Sequence, residues 1–316
     1  MILSPVLRRL LVFAATLLAA SLAIFIVMDV LPGDPAAIML GTSARPDTLA
    51  AMHHQLGLDR PATVRYLSWL GGMLRGDFGT SITYGVPVSR LFADRLALTL
   101  PLALLAVVGS TLVALGLGMA AVARLGRATD HAVAVFSQLG IAVPDFWLGL
   151  ILILCFATGL HWFSAIGFPG WSGGFFPALK ALLLPAVALA VPQAAVLSRV
   201  TRAALLEVTH QDFVRTARAK GLRGSTIMLR HVLPNGLVPV LTIVGLQFSF
   251  LIAGAVLVEN VFALPGLGRL VYQALAQRDL VVIRSVTMLF AAFVMLVNLA
   301  VDLAGLLLDP RLRAAR

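Results

Sequence analysis

The sequence predicts an all-α, polytopic membrane protein with six transmembrane helices, both termini cytoplasmic and a long external segment after the first helix. Three observations carry this reading. Of the 316 residues, 60% are hydrophobic and only 12% charged, whereas a soluble domain carries roughly a quarter charged residues. The apolar residues gather into six long runs, and a spanning helix needs about 20 such residues. Lys and Arg concentrate in alternate connections, the asymmetry that sets orientation in a membrane.

The runs are Leu10 to Val30, Leu96 to Val122, Val133 to Leu160, Ala178 to Leu197, Leu237 to Val258 and Ile283 to Leu308. The first follows Arg8 and Arg9 and contains Ala19, Ala20 and Ala23, features shared with a secretory signal. Its apolar character continues to Val30, so it is read as a retained span. Pro144, Pro185, Pro192, Gly116, Gly118 and Gly254 interrupt the runs, as close helix packing or satisfied breaks allow.

Positive charge marks the cytoplasmic side. Arg8 and Arg9, then Arg124 and Arg127, then Arg311, Arg313 and Arg316 flank alternate spans. The loop after the fourth span adds Arg199, Arg202, Arg215, Arg218, Lys220, Arg223 and Arg230 against Glu207 and Asp212. On the other side, residues 31 to 95 balance six Arg against five Asp, and residues 161 to 177 contain no Asp, Glu, Lys or Arg. The resulting division is 1–31, first helix; 32–95, external segment; 96–308, a five-helix core holding a cytoplasmic loop at 199–236; and 309–316, a cytoplasmic tail.

The external segment opens with Pro32, Gly33 and Pro35, which stop the first helix. Tyr66, Leu67, Trp69, Leu70 and Leu74 recur at helical spacing and predict a short amphipathic helix. Resting on the membrane and packing over the mouth of a pathway are both compatible with it.

The net charge of +10 does not mean nucleic acid here, because its placement follows the membrane pattern. The single cysteine, Cys155, excludes an intrachain disulfide and a cysteine metal site, and its place in an apolar run predicts burial. No metal-ligand spacing occurs: His53 and His54 are adjacent, a poor geometry on a helix, and are expected to face solvent. Neither Lys180 nor Lys220 has the glycine spacing of a phosphate-binding loop, so the chain is not read as an enzyme.

The basic loop, "RTARAKGLRGSTIMLRHVLPN" at 215–235, gathers Arg215, Arg218, Lys220, Arg223 and Arg230 with no Asp or Glu between long apolar runs. Thr209 and Asp212 suggest a capping box that starts a helix near His210. Gly221 fits the left-handed position past a helix end. A second short helix then begins near Ser225, and Pro234 opens the fifth span. Leu206, Phe213 and Ala217 form a weak apolar stripe, while Arg215, Arg218 and Lys220 project elsewhere. Thr216, Ala217, Ala219 and Gly221 are small enough to let another protein approach. On these residues alone, a docking element and a topology signal touching anionic lipid are both open.

The spacing from Arg215, Thr216 and Ala217 to Gly221, and from there to His231, Val232, Leu233 and Pro234, resembles a signature of binding-protein-dependent ABC importers. That signature is Glu-Ala-Ala, three residues, Gly, nine residues, Ile, one residue, Leu-Pro. Here Arg215 stands in place of Glu and His231 in place of Ile. The pairing of "DFVRTARAKGL" with "RHVLPN" is similar to the form found in peptide and nickel permeases. So are "PGDP" at 32, "GDFGTS" at 76, "IAVPDFWLGL" at 141, "VFALPGLGRL" at 261 and "LLLDPRLR" at 306.

The resemblance implies a permease subunit of the dipeptide, oligopeptide and nickel type in a bacterial inner membrane. It forms half of a translocation path with a second homologous permease. Two cytoplasmic ATPase subunits would hold the ATP and Mg, so that no cofactor belongs to this chain, and an extracytoplasmic solute-binding protein would deliver cargo. Asp212, Arg215, Thr216, Ala217, Arg218, Lys220, Gly221 and Pro234 would then couple to the ATPase. Peptides rank first as cargo, ahead of nickel, glutathione or another solute.

Charged groups inside spans are functional candidates. Asn298 and Asp302, four residues apart on the last span, and Asp145, just after Pro144, could line the pathway or bond neighbouring helices. Asp29 and Glu259 lie near span ends, where water is expected to reach them. A self-contained secondary transporter would require paired deep acids or repeated halves, and a membrane enzyme a nucleophile and base at one depth; neither pattern is present. Neighbouring genes for a second permease, ATPases and a binding protein would fit only the importer.

Overall fold

The computed structural model describes residues 3–30, 35–40 and 44–308. Most of them are helical, with an isolated bridge between Thr80 and Pro87 and no strand among the described residues. The helices are α1 (Leu3–Val30), α2 (Pro35–Leu40), α3 (Pro46–Leu56), α4 (Ala62–Leu74), α5 (Val88–Ala123), α6 (Ala128–Ala142) and α7 (Asp145–Leu152). After them come α8 (Phe175–Thr209), α9 (Asp212–Ala219), α10 (Gly224–Ile227), α11 (Leu233–Val261), α12 (Leu267–Ala276) and α13 (Leu280–Leu308). Among the described residues five helices are long and apolar enough to cross a membrane, and six spans result if the bent pair α6–α7 is one of them.

The third predicted span is therefore broken. Its two arms meet at 101°. The cause is local: Pro144 disfavours helical backbone at the residue before it, and Val143 is extended at φ −90°, ψ 121°. Elsewhere helices outrun the apolar stretches. The second span starts at Val88 and carries Arg90, Asp94 and Arg95 in its first turns, and α8 runs from Phe175 to Thr209.

The chain packs as two compact units. The first comprises Leu3–Leu98 and Gly266–Leu296. Its core joins the start of α5, α12 and the start of α13 through Val88, Leu267, Leu270, Ala274, Val282 and Val286. The amphipathic helix foreseen at 66–74 is α4, and it packs on α1. Ser21 and Tyr66 share a hydrogen bond of 2.8 Å, and Phe25, Trp69 and Met288 form a buried cluster. Leu67 and Leu74 point away from it, 65% and 83% exposed.

The turn between α4 and α5 is tied to α13. Asp279, at the N-terminus of α13, accepts hydrogen bonds from Ser81 Oγ (2.6 Å), Thr83 N–H (3.0 Å) and Val282 N–H (3.2 Å). Ser285 Oγ donates to the Phe78 carbonyl at 2.7 Å. The glycines of "GDFGTS" make this approach possible: Gly79 has φ +82°, and a Cβ there would lie 2.8 Å from Val281 Cγ1.

The second unit comprises Thr99–Pro265 and, among the described residues, 297–308. Small residues bring α8 against its neighbours, as expected of membrane helices, which gain more from close packing than from hydrophobic exclusion. A Cβ on Gly140 of α6 would meet Ala195 Cβ at 2.5 Å, and one on Gly118 of α5 would meet Thr201 Cγ2 at 2.5 Å. Ser137 and Ser198 bond at 2.9 Å across the α6–α8 contact. Gly254 of α11 faces Asp145 of α7 so closely that a Cβ would collide with the carboxylate. Gly116 has nothing within 4 Å of a notional Cβ, so packing within this chain does not account for it.

Candidate functional site

The segment from α8 to α11 is more compact than its sequence suggests. Helix α8 ends at Thr209, two residues separate it from α9, and Arg218 and Gly221 close the next turn. The expected capping box does not form: Thr209 Oγ1 donates back to the Leu206 carbonyl at 2.6 Å, and the cap position before α9 is Gln211. Thr209 is still inside α8, so its hydroxyl satisfies a carbonyl of its own last turn.

Gly221 does take the left-handed conformation, at φ +75°. Its N–H donates to the Arg218 carbonyl at 2.9 Å, and the Leu222 N–H donates to the Ala217 carbonyl at 3.3 Å. Those two bonds are the Schellman pattern, which terminates a helix only where the residue after the cap can adopt positive φ. The second short helix starts at Gly224, one residue early, and does not stop. It runs through a wide turn, Met228–Val232, into α11. The wide turn ends two residues before Pro234, which has no N–H for the helical ladder.

The buried stripe is one residue out of the expected register. Val214 is fully buried and Ala217 nearly so, packed with Leu205, Ile227 and Val232, while Phe213 is 41% exposed. Ala217 therefore faces its own chain rather than an approaching surface. Starting the helix at Asp212 instead of His210 rotates the inward face from Phe213 to Val214. Asp212, Arg215, Thr216, Arg218, Lys220, Gly221 and Pro234 are exposed. Arg215 stands 3.6 Å from Asp212 in a solvent-facing pair. Together with Phe213 and Leu222, they present a basic surface with two apolar side chains.

The polar residues of the spans sort differently. Asp145 is half-buried, its Oδ1 accepting the Phe146 N–H at 2.7 Å. Asn298 is half-buried on α13, and the side chain of Asp302 lies outside the described residues. Glu259, expected to be wetted, is instead fully buried and accepts a hydrogen bond from Thr99 Oγ1 at 2.6 Å. Asp29 is held by both terminal nitrogens of Arg65, at 2.8 and 3.0 Å. Cys155, expected to be buried, is exposed on this chain; it sits in the wide turn Ile153–Gly159, where an apolar outer surface suits a bilayer. His54 is exposed and His53 half-buried.

Three polar features lie outside the sequence reading. Arg202, counted there as loop charge, makes a two-pronged ion pair with Asp130 of α6, Nε to Oδ1 at 2.6 Å and a terminal nitrogen to Oδ2 at 3.0 Å. Asp279 organises the turn before α5. Arg284, in the first part of α13, places its guanidinium carbon 4.9 Å from the centre of the Trp69 ring. Only Arg284 had a signal in the sequence, a charge inside an apolar helix; the partners of the other two are 72 and 198 residues away.

Known proteins match along the whole chain. A family model described as binding-protein-dependent transport system inner membrane component matches residues 112–314, and the N-terminal model of the same components matches residues 2–103. A probable peptide ABC transporter permease of Sinorhizobium fredii is 40% identical over 98% of both chains. An oligopeptide transport system permease of Bacillus subtilis is 38% identical over 97% of this chain and 98% of its own. A glutathione transport system permease of Salmonella choleraesuis is 36% identical over 98% and 99%. Among solved structures, a methionine ABC transporter in inward-facing conformations shares the fold, with a TM-score of 0.55 and 20% identity over 69% of this chain and 96% of that one.

Proposed function

The chain belongs to the family of inner-membrane components of binding-protein-dependent transport systems, and we propose that it forms half of an ATP-driven import path for di- and oligopeptides. The observation that carries the cargo is the near-complete coverage of this chain by peptide permeases at 38% to 40% identity. The glutathione permease, at 36% over 98% of the chain, supports a second reading in which the same machinery takes glutathione.

In this proposal the partners are a second related permease, two cytoplasmic ATPase subunits that hold ATP and Mg and hydrolyse the nucleotide, a solute-binding protein outside, and bacterial inner-membrane lipid. The exposed face of α9 and the Gly221 turn form the contact with an ATPase. Arg215, Arg218 and Lys220 offer charge-assisted hydrogen bonds, and Phe213 and Leu222 offer apolar contact. The buried cluster of Leu205, Val214, Ala217, Ile227 and Val232, with Leu233 packed against it, ties that turn to α8 and to the start of α11. A displacement of the turn therefore moves the ends of both helices, a rigid-body mode of switching.

The test is depletion of a defined mixture of di- and oligopeptides from the medium, followed by mass spectrometry in cells with and without the chain. Loss of uptake for a length-limited set supports peptide cargo. Unchanged peptide uptake in cells lacking any other peptide system, with glutathione uptake lost, moves the cargo to the second reading.

A further inference from the structure

We propose that the first unit carries a carboxylate-binding site built on Arg284 between α1, α4 and α13. A cavity of about 270 Å³ is lined by Arg60, Arg65, Trp69, Asp77 and Arg284 among others. A neighbouring cavity of about 440 Å³ shares Leu58, Arg65 and Arg284 with it and adds Asp29. The larger volume is within the range of small-molecule sites.

The charges around these cavities do not cancel. Arg65 spends both terminal nitrogens on Asp29. Asp77 uses Oδ1 to accept the Gly79 N–H at 2.9 Å and brace its own turn. Arg60 is exposed to solvent. Arg284 has no carboxylate within ion-pair distance among the described residues, and its cationic plane rests on Trp69. A ring face stabilises a guanidinium only in part, so one half-buried positive charge is left over.

Hydrogen bonding points the same way. Arg65 Nε, Trp69 Nε1 and Arg284 Nε are buried and have no acceptor among the described residues. All three residues line the smaller cavity. Those nitrogens are themselves closed to solvent, but arginine and tryptophan side chains donate and cannot accept, so the lining favours a ligand that accepts and does not donate. A carboxylate meets both demands, with two acceptor oxygens, no donor and one negative charge, in a shape that fits the guanidinium fork. An amide brings its own donors, and Asp29 and Asp77 disfavour a second negative charge.

This site does not depend on the cargo assigned above. The C-terminus of a peptide is one source of the carboxylate and a small free acid is another. The experiment measures the thermal unfolding midpoint of the full chain in lipid nanodiscs with dialanine, dialanine amide or propionate. At about a hundredfold above its Kd, a site ligand raises the midpoint by about 5 °C. A rise with dialanine and propionate supports the site with free acids as ligands. A rise with dialanine alone supports it with a peptide as the source. An equal rise with dialanine amide, or no rise with either acid, overturns it.

Arg284→Gln abolishes the rise, and Arg284→Lys, which keeps the charge but loses the fork, binds at least about tenfold more weakly. Unchanged binding in both variants overturns the assignment to Arg284, and the acid-against-amide comparison on the unaltered chain stands whether or not they fold. Cellular peptide uptake is a separate readout, so failure of the site and failure of the cargo reading are distinguishable.

Discussion

Asp279 is only 1% exposed and serves three donors from two parts of the chain. Asp279→Ala strands those donors and is expected to cost about 2–5 kcal/mol. Limited proteolysis reads this directly, as new cleavage within residues 78–87; protection equal to the wild type would show that the turn holds without the carboxylate. Gly221 is a second residue on which geometry depends. At φ +75° a β-branched side chain is strained, so Gly221→Val distorts the turn while leaving the spans intact. Transport is expected to fall at least tenfold with normal membrane insertion, and Gly221→Ala to fall less. Wild-type uptake by the valine variant would remove the turn from the coupling role proposed for it.

Helix contacts set the next scale. The α6–α8 interface is closed by Gly140 against Ala195, by the Ser137–Ser198 bond and by the Asp130–Arg202 pair. Gly140→Ala places one methyl against another and is expected to destabilise by about 1–3 kcal/mol. Ala195→Gly in the same chain removes the obstruction and restores most of the loss, a coupling that a double-mutant cycle on thermal unfolding measures. Additive losses would mean that the two residues do not meet. The α9 register belongs to this scale too. Leu206, Phe213 and Ala217 gave a helical stripe in the sequence, but an eight-residue helix has so few apolar positions that a short shift in its start exchanges Phe213 for Val214.

For the whole molecule, orientation is the leading prediction, since it rests on the alternation of Lys and Arg. With Cys155→Ser as background, single cysteines at Gln211 and Asp59, both exposed, are expected to label from opposite sides of the membrane. Labelling of both from one side would put the Gly221 turn and the 31–95 segment on the same face and refute this arrangement. The six apolar runs, the amphipathic α4 and the left-handed Gly221 were legible because each depends on neighbours within one or two helical turns: hydropathy, 3.6-residue spacing and a required backbone angle. The bend at Pro144 was half-legible, since a proline announces a break but not its angle. The burial of Glu259, the Asp130–Arg202 pair, the Asp279 network and the Arg284 cavity were decided by tertiary structure alone. A charged side chain is assigned its partner by which distant helix passes beside it, and no local pattern encodes that neighbour.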